Sequence, residues 1–489
     1  MPKVPITLSV AALFVMLLAP VVSAQEEPSA PPAENRLYAM GSSNVNRIDE
    51  WLNAFLEMNG MEGKCARISL AGAPMHWVWQ VREERKPNPE TYLRTEHFDV
   101  LYMVASTVWI QRQQEVPPCV GFARAAIAGN PNVRVHIQER KYIEPYEDGL
   151  RYCYFWPENP DPELTIEFLF RPHYLKTIHD MASQLKRKVY VTPAGSCIEA
   201  VKKLAETGKL EGYTDRLCVY QSRENQHLSP FGHYVHASAV WASVYRRDPR
   251  RLPNAVYRYG GAQLMVELTE HDAELVNQTV YDIVRNTPFS GWYVNEPSTY
   301  EEYMAALWEE VKNFETFDGV EGDQEDEKPQ DHDGTYVGTN GLEWTYKGGW
   351  GTGESHLTIS GSTLMLSSGS GEARPVLSAT FPKGISWLTF QYRGRYNLPG
   401  PADTYKYRLE VVAGGKTIAV LDKIVEKMKE HRVGAQEYAC LIEDIDLPPG
   451  GELKFVSTGN DAVRIDNIRW KDYDAGSEEK GSSVNSGDK

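Results

Sequence analysis

The sequence predicts an α/β domain, a parallel sheet with helices on both faces, followed by a β-sandwich of jelly-roll type. Helix-spaced apolar runs alternate with short apolar strands from Arg36 to about residue 315, the pattern of strand–helix–strand units. Beyond about residue 335 the apolar period falls to two and helical spacing disappears, as in an antiparallel β fold. The 489 residues suffice for two or three domains, and 42% hydrophobic content lets most of them bury a core.

Lys3, the apolar stretch Val10–Val22 and the small residues Ser23 and Ala24 read as a secretory signal cleaved after Ala24. The apolar run is short for a membrane anchor. The mature chain is therefore expected in the periplasm or outside the cell. Residues 25–35 form a Pro-rich, disordered lead-in. The α/β domain spans 36–315. Leu37–Met40 is a strand and Gly41-Ser42-Ser43 a tight turn, and Ile48, Trp51, Leu52, Phe55 and Leu56 recur at helical spacing. Phe98–Ala105 and Val189–Thr192 read as strands; Tyr174–Lys188, Ser196–Glu206, Glu270–Val284 and Tyr300–Phe314 read as helices. Ser229 as cap and Pro230 at the first helical position start another helix towards Tyr245.

Residues 316–335 read as an acidic linker; eight carboxylates between Asp318 and Asp333 lack the glycine and ligand spacing of a calcium loop. The sandwich spans 336–472. A hairpin is expected from His356–Ile359 and Thr363–Leu366, with further strands at 387–390, 407–411, 453–455 and 463–465. Gly348–Gly353 is no phosphate loop, because no Lys-Ser or Lys-Thr follows it. Residues 473–489 form a disordered tail.

A formal charge of −16 argues against nucleic acid and anionic membrane as partners. Six cysteines without a C-x-x-C pair give no zinc ribbon or thioredoxin-type motif, and an oxidising compartment would permit one or two bridges. The 27 tyrosines and 12 tryptophans favour neutral, ring-faced ligands such as sugars. Trp77 and Trp79 share a side if their segment is extended. Tyr142, Tyr146, Tyr152, Tyr154, Phe155 and Trp156 crowd a Pro-rich loop, as a lid or as ordinary packing.

Two stretches carry possible chemistry. Ser43 follows a strand and precedes a helix, so it leaves the carboxyl end of the sheet, where open α/β folds place sites; a serine at such a joint is equally a helix cap. Glu224 and His227 lie three residues apart just before a helix, so the carboxylate can hold the ring while its other nitrogen accepts a proton from a serine. The competing reading of His227 is a solvated loop histidine.

Gly-x-Ser near the mature N-terminus and acid-x-x-His before a late helix, in that order, resemble the SGNH (GDSL-type) hydrolases, closest to divergent secreted bacterial members. Ile68–Trp77, Phe98–Leu101 and Val191–Gly195 add to the resemblance, which covers about residues 36–285. It implies a flavodoxin-like sheet and a serine esterase without metal or organic cofactor. Ser43 matches the nucleophile, His227 the base, and Glu224 stands where the family usually carries Asp. Gly72 matches the glycine that joins the Ser43 N–H in binding the oxyanion. The family's Gly-x-Asn-Asp is replaced by Ala105-Ser106-Thr107-Val108, leaving Ser106 or Thr107 as the remaining donor. The implied substrate is an ester-bearing small molecule or an acylated polysaccharide; the alternative is an impaired fold relative that binds glycan or serves as a scaffold.

Overall fold

The computed structural model describes residues 35–41, 45, 47–70, 75–104, 112–139, 171–222, 227–317, 332–338, 340–352, 363–367, 374–394, 404–426, 438–459 and 462–473. The expected signal, lead-in and tail therefore lie outside the described residues, apart from Asn35 and Tyr473. Strands β1 (Asn35–Gly41), β2 (Gly63–Ser69), β3 (Val100–Met103), β4 (Arg134–Gln138) and β5 (Val189–Thr192) form one five-stranded sheet in the order β2-β1-β3-β4-β5. Every pairing in it is parallel. This is the doubly wound order in which the chain starts inside the sheet and steps outward to both edges.

The strands read as continuous apolar runs because both faces are covered. Leu37, Ala39, Val100 and Tyr102 point into one core with α1 (Ile48–Met58), α6 (Ala194–Glu206), α7 (Pro230–Tyr245) and α8 (Glu270–Asn286). Tyr38, Met40, Leu101 and Met103 point into the other, with α2 (Met75–Gln80), α3 (Pro89–Thr95), α4 (Arg112–Gly129), α5 (Arg171–Leu185) and α9 (Tyr300–Val311). A two-stranded hairpin, β6 (Ala255–Tyr257) and β7 (Leu264–Glu267), lies beside the first core. Cys65, Cys119, Cys197 and Cys218 are free thiols, so bridges permitted by an oxidising compartment do not involve these four. Burial pushes Cys65 and Cys218 up to about 12.

The second module is a single antiparallel sheet. It comprises β8 (Phe314–Glu315), β9 (His332–Val337), β10 (Glu343–Thr352), β11 (Thr363–Leu366), β12 (Val376–Phe381), β13 (Trp387–Gly394), β14 (Thr404–Ala413), β15 (Lys416–Glu426), β16 (Tyr438–Ile442), β17 (Gly451–Ser457) and β18 (Val463–Lys471). Its main path runs β15-β14-β17-β12-β10-β11-β18-β13-β16, with β9 on β10 and β8 on β18. The sheet curls over itself, because Phe390 of β13 meets Phe455 of the non-adjacent β17 with ring centres 4.9 Å apart. Instead of two separate layers, one nearly closed sheet encloses the core. Both edges of β11 are taken, by β10 and β18. The expected pairing with His356–Ile359, which lies outside the described residues, is thus replaced by pairing with Gly349–Thr352.

The helix expected to reach Phe314 stops at Val311, because Phe314 and Glu315 pair with Arg469 and Ile468 in the second module. Phe317 is fully buried there against Trp344 and Tyr336. Both ends of the stretch read as linker therefore belong to this sheet's surroundings, and 318–331 lies outside the described residues. Burial holds the Glu315 carboxyl above its usual range, partly offset by the N–H groups of Phe317 and Thr316 and by Lys176 of α5. Truncating a buried phenylalanine costs about 3–5 kcal/mol. Phe317→Ala in the full chain should therefore lower the free energy of denaturant unfolding of the second module by that amount. A loss under about 1 kcal/mol would show that Phe317 is not part of its core.

Candidate functional site

Three strand ends lie side by side where the expected nucleophile and oxyanion donors leave the sheet. Gly41 closes β1 and accepts a hydrogen bond from Leu70 N–H at 3.0 Å, while Val104 N–H donates to the Met40 carbonyl at 2.9 Å. Gly41 has φ +152°, and a Cβ there would sit 2.7 Å from the Val104 Cβ. Only glycine permits both the turn and this approach of β1 to β3. Ser43, Gly72 and Ser106 follow these three ends within a few residues, and all three lie outside the described residues. Helix α1 begins at Ile48 with Arg47 as its N-cap residue.

The expected base enters from α7. Ser229 caps that helix as anticipated, its Oγ accepting from Gly232 N–H at 3.1 Å while its hydroxyl donates to the Cys218 carbonyl at 2.7 Å. Gln221 N–H donates to the His227 carbonyl and Ser229 N–H to the Val219 carbonyl, both at 2.9 Å. These bonds close a short antiparallel turn that exposes His227; Glu224, within the turn, lies outside the described residues. Trp51, in the first turn of α1, stacks on His233, in the first turn of α7, with ring centres 6.2 Å apart. Further down, Phe55 meets both Tyr234 and Trp241. The two helices thus run in parallel and start at the same, carboxyl edge of the sheet.

A second acid–imidazole pair, absent from the sequence reading, belongs to α2 and α4. Glu115 is buried and accepts from Met75 N–H at 3.0 Å and His76 N–H at 3.3 Å, with His76 Nδ1 at 3.2 Å. The two residues are 39 apart in sequence, so no local motif announces them. Beneath α7, the Tyr102 hydroxyl donates to Gln138 at 2.9 Å and lies 3.1 Å from His236 Nε2. His136, fully buried, contacts Thr192 through Nδ1 at 3.3 Å, and burial holds it well below the usual histidine range. It is a neutral structural ring.

Trp77 and Trp79 do not share a side, because their segment is the helix α2, in which residues two apart point nearly opposite ways. Trp77 is 51% exposed. Trp79 instead packs on Phe122 at 4.8 Å under the Arg82 guanidinium, over Gly121, where a Cβ would meet its ring at 2.5 Å. The aromatic stretch 142–156 lies outside the described residues. Among the described residues no group of His, Cys, Asp or Glu could hold a metal ion, and no helix is long and apolar enough to cross a membrane.

No known family profile matches the chain, and no curated protein matches it in sequence. Among solved structures it is similar to a protein from Slackia heliotrinireducens assigned as an SGNH hydrolase, at 13% identity and TM-score 0.28, over 42% of this chain and 96% of that one. It is also similar to a two-domain esterase active on acetylated mannans, at 8% identity and TM-score 0.24, over 90% of this chain and 92% of that one. A GH87 α-1,3-glucanase catalytic domain matches 23% of this chain and 22% of that one, at 9% identity and TM-score 0.17. At such TM-scores these likenesses carry no argument, and the fold stands on the strand order and registers above.

Strongly shifted groups often mark active sites, yet here the clearest shifted carboxyl marks packing. Glu296 is pushed up to about 7 by burial, with Gly291 N–H, Arg246 and Lys188 pulling it back. It lies near Lys188, just before β5, at the amino edge of the sheet. The folded chain keeps a proton that the unfolded chain releases near 4.5. Stability is therefore fully present below that pH and declines as pH rises through 7, by up to about 3 kcal/mol. Glu296→Gln should match the wild type in urea unfolding at pH 4.5 and exceed it at pH 8 by about 1–3 kcal/mol. A difference independent of pH would mean that this carboxyl titrates normally.

Proposed function

We propose that the chain is an exported serine ester hydrolase of SGNH type, acting on acyl groups, acetyl among them, of a carbohydrate polymer. The observation that carries the reading is the adjacency of Gly41, Leu70 and Val104 at one sheet edge, with α1 and α7 both starting there. This arrangement supports a reading in which the segments that hold Ser43, Gly72, Ser106 and the Glu224–His227 turn converge, as open α/β sites require.

His227 would take the proton of the Ser43 hydroxyl as its oxygen attacks the ester carbonyl. The oxyanion so formed accepts from the N–H groups of Ser43 and Gly72, with Ser106 as the third donor. Glu224 holds the imidazolium, which then protonates the leaving alcohol, and water, activated by the same imidazole, releases the acyl group and restores Ser43. Residues 1–24 would be removed on export. The absence of an asparagine at 105–108 favours a second reading, a glycan-binding relative without turnover.

Labelling with a fluorophosphonate decides between the two. The mature protein should label at Ser43 and hydrolyse a small acetyl ester. Ser43→Ala should lower turnover by about 10³-fold or more and Ser42→Ala by far less. Equal losses would mean that the nucleophile is misassigned. A folded protein that neither labels nor turns over would leave the binding reading in place.

A further inference from the structure

Helix α9 ends against the antiparallel module and leaves a cleft of about 480 Å³ between them, within the range of about 300–1,000 Å³ usual for small-molecule sites. On the helix side Trp308 presents a half-buried indole. Facing it are the hydroxyls of Thr345 on β10 and of Ser378 and Thr380 on β12; Thr345 and Ser378 are direct cross-strand partners. Among the described residues these three hydroxyls are committed to no protein partner. At one end the Asp472 carboxylate is set in place by Asn313 Nδ2 at 3.1 Å and Lys383 Nζ at 3.2 Å, with acceptor capacity left over.

We propose that this cleft is a binding subsite for a neutral saccharide. Its charged rim disfavours a lipid or other apolar ligand, whose entry would strip water from charged groups without offering them hydrogen bonds. Carboxylates of Glu343, Glu452 and Asp472 outnumber the ammonium groups of Lys312 and Lys383, on a chain of net charge −16, which disfavours an anion. A sugar hydroxyl both donates and accepts, so it matches carboxylate, hydroxyl and ammonium partners alike. The apolar face of a pyranose ring suits the Trp308 indole. The site is independent of ester chemistry, and a chain without turnover would still bind.

The test is calorimetric titration of the full mature chain, in the Ser43→Ala background, with mannopentaose, xylopentaose and cellopentaose in turn, and with trigalacturonate as an anionic comparator. At least one neutral probe should bind saturably, and trigalacturonate about 10-fold or more weaker. Trp308→Ala should weaken the neutral probe by about 10-fold or more. Because Trp308 also packs against its own domain, Thr380→Trp, which fills the cleft from an exposed strand position, should do the same with the melting temperature held. No saturable binding of any neutral probe up to about 5 mM, or binding unchanged by Thr380→Trp, would overturn the proposal.

Discussion

The close approach of β1 to β3 at Gly41 and Val104 is the constraint from which the carboxyl edge is built. A side chain at Gly41 would collide with Val104 Cβ, and parting these strands would cost the Val104–Met40 hydrogen bond, while Leu70 holds Gly41 from the β2 side. The left-handed φ of Gly41 also directs the chain out of the sheet at that point. Because β1 lies between β2 and β3, the segments leaving all three emerge together.

The partner of this edge is α7, and its orientation is fixed along its whole length. Every residue from Phe231 to Tyr245 is buried, as expected for a helix enclosed on all sides. Near its start it meets α1 through Trp51 and His233; at its end the Tyr245 hydroxyl lies 2.9 Å from the Cys65 sulfur. Midway it rests on the hydrogen-bonded Tyr102 and Gln138 of the sheet through His236. A helix held at both ends and the middle cannot rotate, so the turn carrying His227 is anchored before any ligand arrives.

The elements legible in the sequence were those that local chemistry specifies. The Ser229-Pro230 start of α7, the apolar run of β5 and the period-two strands β11, β13 and β17 carry their own signals. What escaped notice depended on distant partners. Helix α4 contains Pro117 and Pro118, residues that locally disfavour a helix interior; it persists because Val116, Cys119, Val120, Phe122 and Ala123 bury one face in the second core. The segment 75–80 is a helix because its entry N–H groups find Glu115, far along the chain. The end of α9 is set by pairing with β18, across more than a hundred residues. At the candidate site, residue types were legible; the adjacency of the strand ends that Ser43, Gly72 and Ser106 follow comes from strand order, which no local spacing encodes.

The path of α9 explains why the two modules meet where they do. Helix α5 ends beside the amino end of β5, so its start, around His173, lies towards the carboxyl edge. Helix α9 runs antiparallel to it: the Tyr300 hydroxyl donates to the Ala182 carbonyl, Trp308 meets His179, and Phe314 reaches His173. The chain therefore returns to the carboxyl edge before it enters β8, and the antiparallel sheet is joined on the side that carries the candidate site. Pairing of Phe314 and Glu315 with β18, Asn313 with Asp472 and Asn340 with the Lys312 carbonyl ties the module down ahead of the acidic stretch. Its placement follows from this short helix-to-strand passage. A polymer held in the cleft beside Trp308 would consequently lie against a surface fixed relative to that edge, and its reach to the edge would depend on its own length, with no tether to set it.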